Sequence, residues 1–361
     1  MSEAVKLIID GQVHEGWQSV SVSHALNGLC AGFGLQLTET WPGQPERRII
    51  ADGAACELWL GDDLMVTGWV DTVDRQMDGG GQVINVSGRD KTSDLIDCSA
   101  VHRPGSWKGQ KLEKIAADLL KPFGLSVTVE APTGAAFAHF ALEPGETVAE
   151  ALTRMARLRG LLIGSDRKGG LILHRPAPER VNAELVLGGN LRGLRVTSST
   201  VERFSQYILK GQQQAGDTVA AHAATSPSAE ATDAGMTRYR PLILISDDQS
   251  TLAGLKARAQ WEAATRIARA QTAEATVRGW RDADGRLWSS GALVPLRAPQ
   301  VNADMELMIA SVNFELGRET TATLSLVRPQ AFTPEPLPDA RQTTKGKTKK
   351  GQGVDPLLSL Q

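Results

Sequence analysis

The sequence predicts an α+β fold that is mainly β: two related small β-barrel domains, an α+β insert between them, and a disordered C-terminal tail. Short stretches alternating apolar with polar or small residues fill both ends of the chain, the period of a half-buried strand. Helical periodicity is concentrated between residues 98 and 180. The two β-regions also echo one another. Leu64-Met65-Val66, then Trp69-Val70-Asp71-Thr72-Val73, a turn and Val83-Ile84-Asn85-Val86 align with Leu307-Met308-Ile309, Val312-Asn313-Phe314-Glu315-Leu316, a turn and Thr323-Leu324-Ser325-Leu326. Two copies of one module per chain let three chains present six modules about an axis, which suits an assembly part better than a catalyst.

Residues 1–97 read as the first barrel. Val5–Ile9 is one strand; Ser19-Val20-Ser21-Val22-Ser23 alternates cleanly; Phe33, Leu35 and Leu37 share a face, as do Cys56, Leu58 and Leu60. Asp52-Gly53 and Asp78-Gly79-Gly80-Gly81 are turns. The insert, residues 98–180, begins with a helix from Gly109 to Leu120 (Leu112, Ile115, Ala116 and Leu119 on one face), stopped by Pro122 and Gly124. A strand follows at Leu125–Val129. Thr147-Val148-Ala149-Glu150 is a capping box opening a second helix whose stripe is Val148, Leu152 and Met155. Gly160 ends it, and Leu161-Leu162-Ile163 and Leu171-Ile172-Leu173 form a hairpin around residues 166–170.

Residues 181–330 read as the second barrel. Its strands fall at 184–187, 194–197, 206–210, 241–245, 272–280, 287–297, 306–316 and 320–327. A mobile loop is expected at 212–237, where Ala, Thr, Ser and Gly dominate. A helix is expected at 250–270, with Leu252, Leu255, Ala259 and Ile267 as its apolar face. Residues 331–361, with Pro334, Pro336, Pro338 and the run Lys345-Gly346-Lys347-Thr348-Lys349-Lys350, read as a flexible basic tail.

The net charge of -2 sets up no global field toward nucleic acid. Three widely spaced cysteines (Cys30, Cys56, Cys98) argue against a disulfide framework and suit a reducing compartment. The N-terminus lacks a secretory pattern, and no apolar run approaches the ~20 residues that span a bilayer; no membrane association is expected.

Catalytic signals are missing. Six histidines (His14, His24, His102, His139, His174, His222) are scattered without metal-ligand spacing. Gly105-Ser106-Trp107-Lys108-Gly109 has its serine one place early for a nucleophile elbow. Asp90, Asp94 and Asp97 share a side if that segment is helical, where a hard cation could bind; capping of turn amides is the plainer reading. Asp282-Ala283-Asp284-Gly285 imitates the start of a calcium loop, but position twelve is Leu293, so a hairpin turn is expected. No catalytic, cofactor-binding or metal-ligating residue is assigned. Glu143-Pro144-Gly145-Glu146-Thr147-Val148 resembles the opening of a LysM wall-binding repeat, which gives the alternative of a peptidoglycan-binding or wall-hydrolysing protein. The segment Arg341–Lys350 lacks the interleaved aromatics of a single-strand binder. Eight Trp against two Tyr is an unusual ratio, and Trp favours cores and interfaces because it buries much area with few rotors.

The run Gly88-Arg89-Asp90-Lys91-Thr92-Ser93-Asp94-Leu95-Ile96-Asp97-Cys98-Ser99 resembles the Mu-type tail baseplate hub proteins of contractile-tailed phages. Trp107-Lys108-Gly109, Pro122-Phe123-Gly124, Gly145-Glu146-Thr147, Gly188-Gly189-Asn190-Leu191, Arg203-Phe204-Ser205-Gln206-Tyr207 and Leu287-Trp288 with Gly291 follow in order, so the likeness covers roughly residues 1–332. The resemblance implies a homotrimer, not an enzyme, in the virion baseplate, assembled in host cytoplasm. It implies two related barrel domains per chain in a six-fold-like ring. It implies as partners the hexameric tail tube protein, the trimeric central spike protein and other baseplate proteins, with DNA passing through an axial channel without sequence-specific binding. A related hub architecture occurs in type VI secretion spikes.

Overall fold

In the first ninety residues every inward alternation becomes a paired strand. The computed structural model describes residues 4–38, 50–78, 81–176, 178–211, 227–246 and 251–336. Strands β1 (Val5–Ile9), β2 (Gln12–His14), β3 (Ser19–Ala25), β4 (Gly32–Thr38), β5 (Ala55–Leu60), β6 (Asp63–Asp78) and β7 (Gly81–Asp90) lie in the order β3-β4-β7-β6-β5-β1-β2, antiparallel throughout. Val20, Val22, Phe33, Leu35, Leu58 and Leu60 are all buried, as period two requires.

The insert follows: α1 (Ser93–Asp97), β8 (Ser106–Gln110), α2 (Leu112–Leu120), β9 (Val127–Val129), β10 (Phe137–Ala141), α3 (Val148–Arg157), β11 (Leu162–Ser165) and β12 (Leu171–His174). Thr147 and Glu150 make the expected reciprocal capping box on α3. Leu112, Ile115, Leu119, Leu152, Met155 and Leu171 form a separate core. The helix expected from Gly109 starts later. Gly109 is left-handed (φ 63°), and residues 106–110 pair with β10 instead.

The last part holds β13 (Leu185–Val186), β14 (Leu191–Ser198), β15 (Gln206–Lys210), β16 (Ser228–Thr232), β17 (Pro241–Ile245), α4 (Leu252–Arg269), β18 (Gln271–Arg278), β19 (Leu293–Ala298), β20 (Ala303–Leu316) and β21 (Thr320–Val327). Two expectations need correction here. The mobile loop at 212–237 is too long: Ser228–Thr232 is a strand against β15, and Asp233 beyond it is buried on Arg203. Residues 212–226 lie outside the described residues. The tail does not lose order at 331 either. Pro329–Phe332 is a 3-10 turn, Trp261 Nε1 donates to the Thr333 carbonyl at 2.7 Å, and Glu335 pairs with Arg258. The segment is held because α4 offers it a donor and a cation; residues 337–361, with the lysine run, lie outside the described residues. On α4 itself Leu252 is exposed, and Leu255, Ala259 and Ala263 carry the buried face.

The two β-regions match strand for strand. In the first, β3-β4-β7-β6-β5-β1 are neighbours; in the second, β14-β18-β21-β20-β19-β13 are, and each set has the same order along the chain. Only the last pairing differs, β1–β5 being antiparallel and β13–β19 parallel. The long strands β6 and β20 each carry a bulge against their hairpin partner, at Val70/Thr72 and Ile309/Ser311. Just before each bulge the same clasp recurs. Gly53 N–H donates to the Val70 carbonyl at 2.7 Å and Val70 N–H to the Ala54 carbonyl at 2.9 Å; Gly291 N–H donates to Ile309 at 2.7 Å and Ile309 N–H to Ala292 at 2.9 Å. Gly53 (φ 73°) and Gly291 (φ 89°) are both left-handed, a conformation costly to other residues. Volume is exchanged at matched positions: Phe33 lies opposite Gly88 in the first copy and Ala273 opposite Leu326 in the second.

This register differs from the sequence echo. The bulges set Ile309 beside Val70, whereas the echo set it beside Val66, four residues earlier. The separate barrels are also corrected: among the described residues no barrel closes. β3 does not return to β1 or β2; its free edge pairs with β20, from Ala25 opposite Ser311 to Val20 opposite Leu316. The result is one 13-stranded sheet with a shared core in which Val22, Phe314, Trp280 and Leu324 meet.

A Cβ at Gly88 would lie 2.2 Å from the Trp69 carbonyl and 2.5 Å from the Phe33 ring, whereas one at Gly34 meets nothing within 4 Å. Gly88→Ala should therefore cost about 1–3 kcal/mol in urea unfolding, the usual range for overpacking, and Gly34→Ala much less.

Candidate assembly interface

The acidic positions that suggested a cation site are turned to different work. Asp90 is buried and accepts from Ala31 N–H at 2.8 Å, Thr92 N–H at 2.9 Å and Ser165 Oγ at 2.6 Å, tying β7 and β4 to the insert's β11. Asp97 pairs with Arg89 at 2.8 Å, and Arg89 also binds Asp71 at 2.6 Å. Those hydrogen bonds hold the Asp97 carboxyl below its ordinary range. The three aspartates share no site, and among the described residues no group of three His, Cys, Asp or Glu could hold a metal. Asp282 closes a hairpin turn, its Oδ1 accepting from Asp284 and Arg286 N–H at 2.9 and 3.0 Å. Glu146 grips Arg154 at 2.8 Å, and α3 leads into the β11–β12 hairpin where a LysM repeat would place its second helix.

His24 and His174 border a 290 Å³ cleft between β3, β12 and the turn before β19. His24 Nδ1 lies 2.9 Å from Ser290 Oγ. Burial is the main cause lowering both imidazoles, and Arg167 lowers His24 further. Burial also pushes the Cys30 and Cys56 thiols up to about 12, which makes them poor nucleophiles.

What the fold leaves unsatisfied is backbone. Beyond Val70, β6 has β7 on one side and no described strand on the other. From Arg192 to Ser198, β14 has only β18 among the described strands. Among the described strands β17 pairs only with β15, and it exposes Ile243 and Ile245. Open edges of this kind are templates for strand addition.

Comparison with known proteins decides the setting. Three family models match: "Mu phage baseplate assembly protein GpP-like, N-terminal" over residues 4–90, "Baseplate hub protein gp44-like, second domain" over 92–175, and "Mu phage baseplate assembly protein GpP, fourth domain" over 251–335. The chain is 37% identical to the baseplate hub protein gp44 of Escherichia phage Mu over 368 residues, covering 99% of this chain and 96% of the phage protein. It belongs to the Mu-type baseplate hub family. The 43 kDa tail protein of prophage MuSo2 from Shewanella oneidensis has the same fold, with TM-score 0.82, 34% identity, and 92% of this chain and all (100%) of that one covered. A tail protein from Neisseria meningitidis shares the fold at TM-score 0.75 and 24% identity, covering 93% and 99%. This hub protein is thus a structural component of a phage tail, with relatives that are structural and not enzymes.

The motifs that carried the resemblance fix the hub's turns and contacts. Trp107 Nε1 donates to Asp118 at 3.1 Å, Gly124 ends its turn at φ 66°, Asn190 Oδ1 accepts from Val186 N–H at 3.3 Å, and Tyr207 OH accepts from Phe204 N–H at 3.1 Å.

The lowered imidazoles give a signed pH dependence. Between the ordinary value of 6.5 and their own lower values, the unfolded chain binds more protons than the fold. Their contribution is complete above about pH 6.5 and is lost as pH falls through the lowered values. Thermal midpoints should therefore fall from pH 7 to pH 5, and His24→Gln should make that fall shallower.

Proposed function

We propose that the hub is a homotrimer adapting a hexameric tail tube to a trimeric spike, with an axial channel through which DNA passes. The observation that carries this reading is the strand-for-strand repeat of one module in one chain. Three chains with two modules each offer six similar faces to a tube and three chains to a spike, so one object can meet both symmetries. In this reading residues 1–97 and 181–330 supply the ring modules, residues 98–180 form a side domain, and the chain past 330 is a tail that starts on α4. The baseplate of the virion is its final place and host cytoplasm its place of assembly, where it meets the tube protein, the spike protein and other baseplate proteins.

The near-neutral charge of the hub suits a conduit, because dense Lys/Arg on a channel wall would hold phosphates. Permanent contacts of this sort bury upwards of about 2,000 Å². Light scattering on purified protein should give the mass of three chains and hold it on dilution. A single-chain mass at every concentration would contradict the trimer.

A further inference from the structure

We propose that the open edge of β6 from Val73 to Met77 pairs antiparallel with the open edge of β14 in a second copy of this chain, from Ser198 to Leu194. The inference rests on the homotrimer reading and specifies the contact that builds it.

The chain already contains this pairing once. β20 is the counterpart of β6, and β3 is the counterpart of β14; β20 and β3 are joined, while among the described residues β6 and β14 each lack a strand partner on the equivalent side. The bulges and clasps match Val312 to Val73 and Leu316 to Met77. The ladders through β4–β7 and β18–β21 match Val20 to Leu194 and Val22 to Val196. Carrying the observed β3–β20 register across puts Val73 opposite Ser198, Asp74 opposite Thr197 and Met77 opposite Leu194.

Charge supports a second copy as the occupant. Within the chain Ser21 Oγ donates to Asn313 Oδ1 at 3.0 Å, diagonally across the β3–β20 pair. At the counterpart positions stand Arg195 and Asp74, a neutral hydrogen bond replaced by a cation and an anion. Both are exposed, and Arg195 has no ion-pair partner among the described residues. Such a diagonal on a sheet face is within reach of a long side chain. Apolar groups agree: Met77 is 77% exposed in the single chain, and Leu194 and Val196 are half-covered. Arg75 takes the place of Phe314 and keeps its guanidinium on the Ile50 carbonyl at 2.7 Å, within its own module. The contact is head-to-tail, so each copy supplies one edge and accepts one, as a closed ring requires.

The test is a disulfide between copies. In a Cys98→Ser background, which removes the exposed native thiol, Asp74→Cys with Thr197→Cys should give covalent two- and three-chain species on oxidation. Asp74→Cys with Val196→Cys, which point to opposite faces, should not. In parallel, Arg195→Asp or Asp74→Arg alone should weaken association at least tenfold, and the double reversal should restore it. A trimer by light scattering that neither cross-links at 74/197 nor responds to the reversals overturns this pairing and leaves the trimer standing. A single-chain mass for the unmodified protein overturns both.

Discussion

The antiparallel ladder between β3 and β20 is the contact on which the rest of this hub depends. A small sheet must spend its edges somewhere, because a row of unpaired amides and carbonyls is either closed on itself, covered, or left as a docking site. The first module has the strands for a closed barrel. Its β3 pairs instead with β20 of the second module, joining residues almost three hundred positions apart. That choice opens both barrels, fuses their cores and fixes how one copy of the module sits against the other. It also leaves the equivalent edges, on β6 and β14, without a strand partner among the described residues.

The bulges make this division of edges possible. On one side β20 serves two partners in succession, pairing with β19 up to Met308 before meeting β3 at Ser311, whereas β6 pairs with β5 up to Trp69 and then has no described strand on that side. The extra residue, Asp71 or Ala310, bends the strand where the change occurs, as bulges do. The insert then hangs from the first module by its own core and by Asp90, whose buried carboxylate joins β7, β4 and β11. Removing one partner of such a group leaves a buried charge short of hydrogen bonds, which is expensive. The stretch Gly88–Ser99, the most recognisable part of the sequence, is therefore a joint between two packed units.

Local features were legible and non-local ones were not. Period-two alternation located β1, β3, β4 and β5 because their inward residues are apolar; the Thr147 box located α3 because its hydrogen bonds lie within four residues. The low-apolar strand Ser228–Thr232 carries no such pattern and has the composition of a loop, and the short β8–β10 pair shows no run of alternation long enough to mark it. The echo found the right hairpins in the wrong register. A four-residue slip is even, so it keeps every side chain on its own face, and alternation cannot distinguish it from the true alignment. Only the bulges and the Gly53 and Gly291 clasps fix it, and those are hydrogen-bond facts. The open edges were invisible for the same reason. A strand edge is free only in relation to neighbours, and in the sequence Asp74 and Arg195 are two ordinary surface charges.

With the proposed pairing, the assembled hub treats the two module boundaries alike, one inside the chain and one between chains. Residue-resolved amide exchange on the assembled protein measures this most directly. Amides of Val73–Met77 and Leu194–Ser198 should be protected as strongly as those of Ser311–Leu316. Rapid exchange at both of those edges, beside a protected β3–β20 ladder, would contradict it.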